Sequence, residues 1–233
     1  MTAGTGQDTS RTLRIDPHVH TVASYDGHAL PEDLVQSALA SDLDGIVVTD
    51  HDTVRGAHIV ADIASDTALV VIVGCEVSTA DGHLLAIGVD EPPETGCPLP
   101  ETARRVRNRG GVAVVPHPFQ RSRHGASASA IDCVDGIEVY NAHTLVSYRN
   151  RQAERFADEN GYPSFGGSDA HRPGHVGLAV TEVTVPPDAP RSADAVLGAM
   201  RTGRTDVSGH RTTTWQYLNK FVFNAKYKTA SVF

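Results

Sequence analysis

Short β-branched segments alternate with helix-like segments through most of this 233-residue chain. Runs rich in valine and isoleucine predict strands at Thr12–His20, Gly45–Asp50, Ala68–Thr79, His83–Val89, Gly111–His117, Gly136–Asn141, Pro163–Gly167 and His175–Val185. Helical spacing and helix-end residues predict helices at Pro31–Ala40, Val54–Ala64, Leu99–Arg109, Leu145–Asn160 and Ser192–Arg201. This order is typical of α/β proteins with a parallel sheet, and it fits both an open doubly wound sheet and a barrel. Because no repeat or low-complexity linker divides the chain, we expect one domain.

Histidines and carboxylates cluster at the ends of these predicted strands. The first strand ends in Asp16-Pro17-His18-Val19-His20, and residues two apart on a strand point to the same side, so His18 and His20 can share one metal ion. The carboxyl ends of parallel strands meet on one face, where α/β enzymes place their sites. Burying many titratable groups there without a cation would carry a large desolvation cost. The pattern therefore predicts a metal site on this face.

The candidate metal ligands lie in strand-end motifs or in the turns beside them. They are His18, His20, Asp26, His51, Glu76, His83, His117, His143, Asp169 and His171. Imidazoles and carboxylates suit Mn, Zn or Fe, and the three cysteines show no C-x-x-C spacing that would indicate a thiolate zinc site. Because one ion cannot use ten ligands, the set predicts two or three divalent ions. Asp50 and Asp52 flank His51 and are expected to orient its imidazole.

Composition narrows the class of partner. A net charge of −8 and a pI of about 5.8 argue against a broad basic surface, so long nucleic acid is not an expected partner. The longest apolar stretch, Ala68–Cys75, is far shorter than the roughly 20 residues of a membrane-spanning helix, and no signal segment opens the chain. We therefore expect a cytoplasmic protein. Its oligomeric state is open.

The two ends of the chain differ from the rest in composition. Residues 1–11 are mostly small and polar and predict a disordered tail. Residues 12–210 contain all the predicted strands and helices and are expected to form the domain. Residues 211–233 combine many aromatic side chains with the only three lysines, and we expect this segment to pack on the domain or on a partner.

Taken in order, the motifs resemble those of the polymerase and histidinol phosphatase (PHP) family. The residues that carry the resemblance are Asp16-x-His18-x-His20-Thr21, Ser24-x-Asp26-Gly27, Thr49-Asp50-His51, Gly74-x-Glu76, Gly82-His83, Pro116-His117-Pro118 and Gly167-Ser168-Asp169-Ala170-His171. The resemblance implies a distorted (β/α)7 barrel, a metal centre of two or three ions at its carboxyl face, and hydrolysis of phosphate esters. It also implies eight ligands, which are His18, His20, Asp26, His51, Glu76, His117, Asp169 and His171. His83 is then a further ligand or near neighbour, and His143 the ligand from the sixth strand.

A polar segment after the fifth predicted strand supplies candidates for substrate binding. This segment, Phe119–Gly125, contains Arg121, Arg123 and His124. We expect Arg121 and Arg123 to bind a substrate phosphate, and Arg123 or His124 to protonate the leaving oxygen. Arg55, just after the second motif, is a further candidate for phosphate binding. The alternative is that Phe119–Gly125 is a solvated loop.

The function implied is hydrolysis of a small phosphorylated metabolite or nucleotide, attacked by a hydroxide that bridges two metal ions. Two other functions compete with it. A metal-dependent amide or lactone hydrolase of the amidohydrolase type uses similar ligands but normally includes a bridging carboxylated lysine, and the first lysine here is Lys220. A non-catalytic metal-binding PHP module would hold the ions without turnover.

Overall fold

The computed structural model describes residues 10–144 and 147–209. Its strands are β1 (Arg11–Val19), β2 (Gly45–Val48), β3 (Val70–Thr79), β4 (Gly82–Ile87), β5 (Val112–Val115), β6 (Gly136–Asn141), β7 (Ser164–Gly167), β8 (Ala179–Val185) and β9 (Thr205–Gly209). Its helices are α1 (Pro31–Ala40), α2 (Arg55–Ala64), α3 (Leu99–Asn108), α4 (Ser147–Asn160) and α5 (Ala193–Arg201). Every predicted strand and helix is present. The expectations for residues 1–9 and 210–233 lie outside the described residues, and Arg11, which we assigned to the tail, begins β1.

The described strands form one nine-stranded sheet in the order β7-β6-β5-β4-β3-β2-β1-β8-β9. β4 and β8 run antiparallel to their neighbours, while β1, β2 and β3 are mutually parallel, as are β5, β6 and β7. The ends of the sheet approach each other, because the Thr181 hydroxyl on β8 lies 3.0 Å from both the amide nitrogen and the carbonyl oxygen of Gly166 on β7. Val19 and Ala170 add a parallel bridge. The sheet is therefore a nearly closed barrel in a single α/β domain, as predicted.

Two strands depart from simple β-then-α alternation. β3 and β4 form an antiparallel hairpin, because the two residues between Thr79 and Gly82 cannot make the long crossover that parallel strands need. β9 was not predicted from the sequence, since Thr205–Gly209 has no apolar run and only Val207 could have indicated a buried face. A membrane-spanning helix is absent from residues 10–144 and 147–209.

A bulge in β1 turns the end of this strand toward the barrel interior. Leu13 and Ile15 pack in the same buried cluster as residues of β5, β7 and β8, whereas Val19 packs with α1 and α2 on the other side. The pairing register between β1 and β2 shifts between Asp16 and Val19, so odd-numbered residues change sides there. Pro17 lies in this irregular stretch, where its missing N–H interrupts no regular ladder. As a result, His18 and His20 face the same side as Leu13 and Ile15.

Burial separates two isoleucines that otherwise look equivalent in the sequence. Ile72 on β3 is 2% exposed, and Ile59 on α2 is 44% exposed. Ile72→Ala is expected to lower the free energy of unfolding by about 2–5 kcal/mol, because it leaves a cavity in the core. The matched variant Ile59→Ala is expected to change it by less than about 0.5 kcal/mol. Chemical denaturation measures both, and equal losses would contradict the assignment of Ile72 to the core.

Candidate metal centre

The centre is built around Glu76, a buried carboxylate on β3. Its two oxygens lie within 3.6 Å of ring nitrogens from five histidines, at 2.8 Å for His83, 3.1 Å for His18, 3.1 Å for His117, 3.3 Å for His20 and 3.6 Å for His51. These histidines lie on β1 or β4, or within three residues after the end of β1, β2 or β5. The strand ends therefore converge as the sequence predicts, and the side chains that they carry meet at one point.

A second buried carboxylate, Asp169, follows β7. Its Oδ1 lies 3.5 Å from His20 Nε2 and 3.7 Å from His18 Nε2. Its Oδ2 accepts a hydrogen bond of 3.0 Å from the Asn141 amide and forms an ion pair with the Arg123 guanidinium. The residue adopts a left-handed backbone conformation with φ of 53°, which directs the chain back over the end of β1.

Asp26 and His171 complete the rim of the site. His171 Nδ1 donates to the backbone carbonyl oxygen of Asp169 at 2.8 Å, and His171 Nε2 lies 2.8 Å from Asp26 Oδ2. The same carboxylate oxygen is 3.7 Å from His51 Nε2. Because the backbone takes one ring nitrogen of His171, the other nitrogen is held toward the centre.

Three overlapping groups have one ligand atom per residue within 4.8 Å of one another. They are His18, Glu76 and His117; His18, His20 and Asp169; and His20, His51 and Glu76. Both ring nitrogens of His20 are buried and make no hydrogen bond within the described part of the chain, as expected of a ligand whose partner is a cation. The donors are nitrogen and oxygen only, which suits Zn, Mn or Fe. The residues therefore fit divalent ions.

Glu138 on β6 supports the side chain of His18 and the backbone of His117, and sequence reasoning did not select it. Its Oε1 lies 2.9 Å from His18 Nδ1, so that His18 Nε2 faces Glu76. Its Oε2 accepts the His117 backbone N–H at 2.7 Å. A carboxylate behind a ligating histidine fixes the ring's tautomer and orientation. The available signal was a charged residue inside an otherwise buried strand.

Glycine at position 167 allows this approach. A Cβ built there would lie 2.5 Å from Glu138 Oε1 and 2.8 Å from the Cβ of His18. Both contacts are too short for any side chain without displacement of the Glu138–His18 pair. Gly167 is thus required by close packing directly beneath the centre.

Charges in the cluster stabilise one another. Burial disfavours protonated His18, but Glu138 and Glu76 outweigh it and raise the pKa of His18 to about 10. Burial likewise disfavours the ionised form of Glu76, but nearby His18 keeps the pKa of Glu76 well below its usual range. Burial lowers the pKa of His117 to about 4, so this imidazole is neutral at pH 7. The buried carboxylates thus require positive charge close by, which a protonated histidine or a bound cation supplies.

The predicted role of Asp50 and Asp52 was wrong. Asp50 accepts hydrogen bonds from the backbone N–H of Thr21 at 2.6 Å and from the Thr21 hydroxyl at 2.8 Å. Asp52 accepts from the backbone N–H and hydroxyl of Ser78 at 2.7 and 2.8 Å. Both carboxylates therefore fix neighbouring chain segments and do not orient the His51 ring.

A cavity of about 210 Å³ opens over the centre. Arg123 and His124 line it, and Arg121 lines the adjoining cavities instead. The His124 ring stacks on that of His83, with centroids 5.2 Å apart. The loop after β5 thus brings its basic residues to the site.

Two further predicted residues, Arg55 and His143, lie away from the three ligand groups. Arg55 is exposed at the start of α2 and does not line the cavity over the centre. His143 is buried behind His171, with ring centroids 5.6 Å apart, and it lines a larger cavity beside α4.

Comparison with protein families gives two matches. A family model described as PHP domain matches residues 16–168, which is well over half of the chain. A second model, described as PHP-associated, matches residues 147–205. The PHP domain match contains all three ligand groups except Asp169, which directly follows its last residue.

Known proteins with similar sequences align with large parts of this chain. An uncharacterized protein of Methanocaldococcus jannaschii is 25% identical over 142 residues, which are 56% of this chain and 83% of that protein. A 5'-3' exoribonuclease of Haemophilus influenzae is 28% identical over 136 residues, which are 57% of this chain and 49% of that protein.

Solved structures share the fold at lower identity. A two-domain protein of Bacteroides vulgatus, described as containing a predicted PHP-like metal-dependent phosphoesterase, superposes with a TM-score of 0.70 at 24% identity, over 92% of this chain and 70% of that chain. An amidohydrolase of Chromobacterium violaceum with bound sulfate and no metal gives 0.54 at 17% identity, over 82% of this chain and 97% of that chain. These likenesses show the fold alone.

The contacts of Glu138 predict its effect on metal binding. Glu138→Gln removes the charge behind His18 and is expected to weaken binding of Mn or Zn by about tenfold to a hundredfold. Glu154→Gln, an exposed position on α4, is the matched control and is expected to bind metal as wild type does. Calorimetric metal titration distinguishes the two, and equal affinities would show that Glu138 does not support the centre.

Proposed function

Because the chain belongs to the PHP domain family, whose members are generally metal-dependent hydrolases, we propose that it hydrolyses phosphate esters of a small metabolite or nucleotide. The proposal depends on one observation, the convergence of four histidines and two buried carboxylates whose ligand atoms lie close together. These residues are His18, His20, His51, Glu76, His117 and Asp169. Two or three ions are proposed, since the three ligand groups overlap and further donors lie at the rim.

The proposed ligands include the six residues of the three groups. Asp26, His83 and His171 contact members of these groups and are proposed as additional ligands. When bound, divalent ions lower the pKa of water to about 7 and neutralise phosphoryl oxygens. His143, whose ring centroid lies 5.6 Å from that of His171, is proposed as a further ligand at the edge of the site.

Side chains around the cavity would handle the substrate itself. Arg123 carries a permanent positive charge at the cavity wall and is 22% exposed at its side chain, so it can bind a phosphoryl oxygen while it holds Asp169. Its second guanidinium nitrogen donates to Asn141 Oδ1 at 3.2 Å, which fixes its direction. His124 lies at the mouth of the cavity and is proposed to protonate the leaving oxygen.

A phosphate ester fits these residues better than an amide or lactone. The first lysine in the sequence is Lys220, so no carboxylated lysine is available to bridge two ions within residues 1–219. The guanidinium at the cavity wall can donate charge-assisted hydrogen bonds to an anionic phosphoryl group, whereas a neutral amide offers it no opposite charge. The similarity to a 5'-3' exoribonuclease, which acts on a phosphodiester, also favours this class.

Metal dependence tests the proposal directly. Phosphate release from a panel of monoesters and nucleotides is expected to stop on treatment with a chelator and to return when Mn or Zn is added. His51→Ala and Asp169→Asn are expected to lower kcat/KM by at least about a hundredfold, because each removes a ligand. His58→Ala, an exposed histidine on α2, is the matched control and should retain activity. Full activity in chelated protein or in both ligand variants would refute the proposal.

Two arginines test the assignment of the phosphate site. Arg123→Ala is expected to raise KM for a monoester by about tenfold or more, because a charge-assisted hydrogen bond is lost. Arg123→Lys keeps the charge without the planar fork and should fall between wild type and Arg123→Ala. Arg55→Ala should leave KM unchanged, since Arg55 does not line the cavity. Steady-state kinetics measures all three, and a larger effect at Arg55 would contradict this assignment.

A further inference from the structure

A second pocket adjoins the cavity over the centre, on the side of the β3–β4 hairpin. It has a volume of about 400 Å³, nearly twice the 210 Å³ of the cavity, and both share Tyr25, His83 and His124 as walls. We call it the ring-lined pocket after these three side chains. A group esterified to a phosphate in the cavity would therefore lie next to this pocket.

Tyr25 is unusually exposed for an aromatic side chain. It is 78% exposed, yet one face of its ring is stacked on His51, with centroids 4.6 Å apart and planes 20° apart. The stacking on a proposed ligand holds the ring in place, and the exposure shows that most of its surface is open to a partner. An aromatic ring fixed in this way is a ready surface for another planar group.

The rings continue across the site from Tyr25 to His124. His51 lies 4.9 Å from His83, and His83 is stacked on His124 at 5.2 Å with planes 29° apart. Tyr25 and His124 are therefore the two ends of a row of four rings, and both ends line the ring-lined pocket. The pocket is thus bordered by two rings that each stack on a proposed metal ligand, Tyr25 on His51 and His124 on His83.

The rest of the lining is polar and small. Of the described residues that line the pocket, only Ala80 has a purely aliphatic side chain, while Asp81 and Arg121 offer an acceptor and donors at its edge. An aliphatic group would find little apolar surface there. A flat ring could stack on the aromatic side chains and form hydrogen bonds at its edge with the polar ones.

We propose that the ring-lined pocket binds a planar aromatic or heteroaromatic leaving group, with Tyr25 as the stacking residue that sets this preference. The inference rests on the proposed hydrolysis of phosphate esters, since it names the substrate class for that site. The larger cavity on the other side of the loop, about 850 Å³, also has aromatic walls, Phe119 and Phe156, but it adds the guanidinium groups of Arg149 and Arg155, which do not line the ring-lined pocket. If the protein binds substrates with an anionic leaving group more tightly than those with a planar one, the leaving group is assigned to that larger cavity.

Binding of two non-hydrolysable anions tests the inference without turnover. Phenylphosphonate and cyclohexylphosphonate have the same charge and similar size, and only the first is planar. Calorimetry on Mn-loaded wild-type protein is expected to show about threefold or more tighter binding of phenylphosphonate. Equal affinities, or tighter binding of cyclohexylphosphonate, would overturn the inference.

Variants of Tyr25 then assign the preference to this ring. Tyr25→Phe keeps the ring and is expected to bind both anions as wild type does. Tyr25→Leu is expected to lose about fivefold in affinity for phenylphosphonate and less than twofold for cyclohexylphosphonate, with metal content measured in each sample. Equal losses for both anions at unchanged metal content would overturn the role of Tyr25.

The outcome for the ring-lined pocket is separable from that for the proposed function. Selective phenylphosphonate binding with no hydrolysis of any ester would refute hydrolysis and leave the pocket standing. Metal-dependent hydrolysis of aryl and alkyl phosphates together with equal phosphonate affinities would establish the function and refute the pocket.

Discussion

The buried carboxylate of Glu76, surrounded by five imidazoles, is the interaction on which the rest of the site depends. An ionised carboxylate with 1% exposure is stable only beside positive charge, and removing one partner from such a buried set costs about 3–5 kcal/mol. The five histidines come from the four strands nearest to β3 in the sheet, whereas Asp169, after β7, reaches His18 and His20 only because the ends of the sheet approach each other. Closure of the fold and assembly of the site are therefore one requirement.

Irregular backbone at the strand ends positions the ligand side chains. The register shift around Pro17 places His18 and His20 on the interior side, and the left-handed conformation of Asp169 returns the chain over them. Behind them, Glu138 holds the His18 ring, and Gly167 leaves the space for this contact. These features sit at the carboxyl face of the sheet, and the regular strands beneath it are packed with aliphatic residues.

Much of this arrangement could be predicted from the sequence. Ligand-type residues at the ends of predicted strands predicted both the face and the members of the cluster, because parallel strands bring their carboxyl ends together. Glu138 and the partners of Asp50 and Asp52 could not be read, since they depend on which side chains meet across strands distant in sequence. β9 was missed because Thr205–Gly209 has no apolar run, and the position of Arg55 was missed because it depends on how the start of α2 lies relative to the cavity. The hydrophobic pattern of the sequence predicts strands and helices, whereas side-chain contacts between distant strands follow only from the assembled barrel.

The central claim is that Glu76 joins the ligand groups into one metal centre, and metal content tests it most directly. Two of the three groups include Glu76, and the third contains His18, His20 and Asp169. Elemental analysis of Mn-loaded, desalted protein should find two or three ions per wild-type chain and at most one in Glu76→Gln, with circular dichroism confirming that the variant is folded. Wild-type metal content in folded Glu76→Gln would contradict the account.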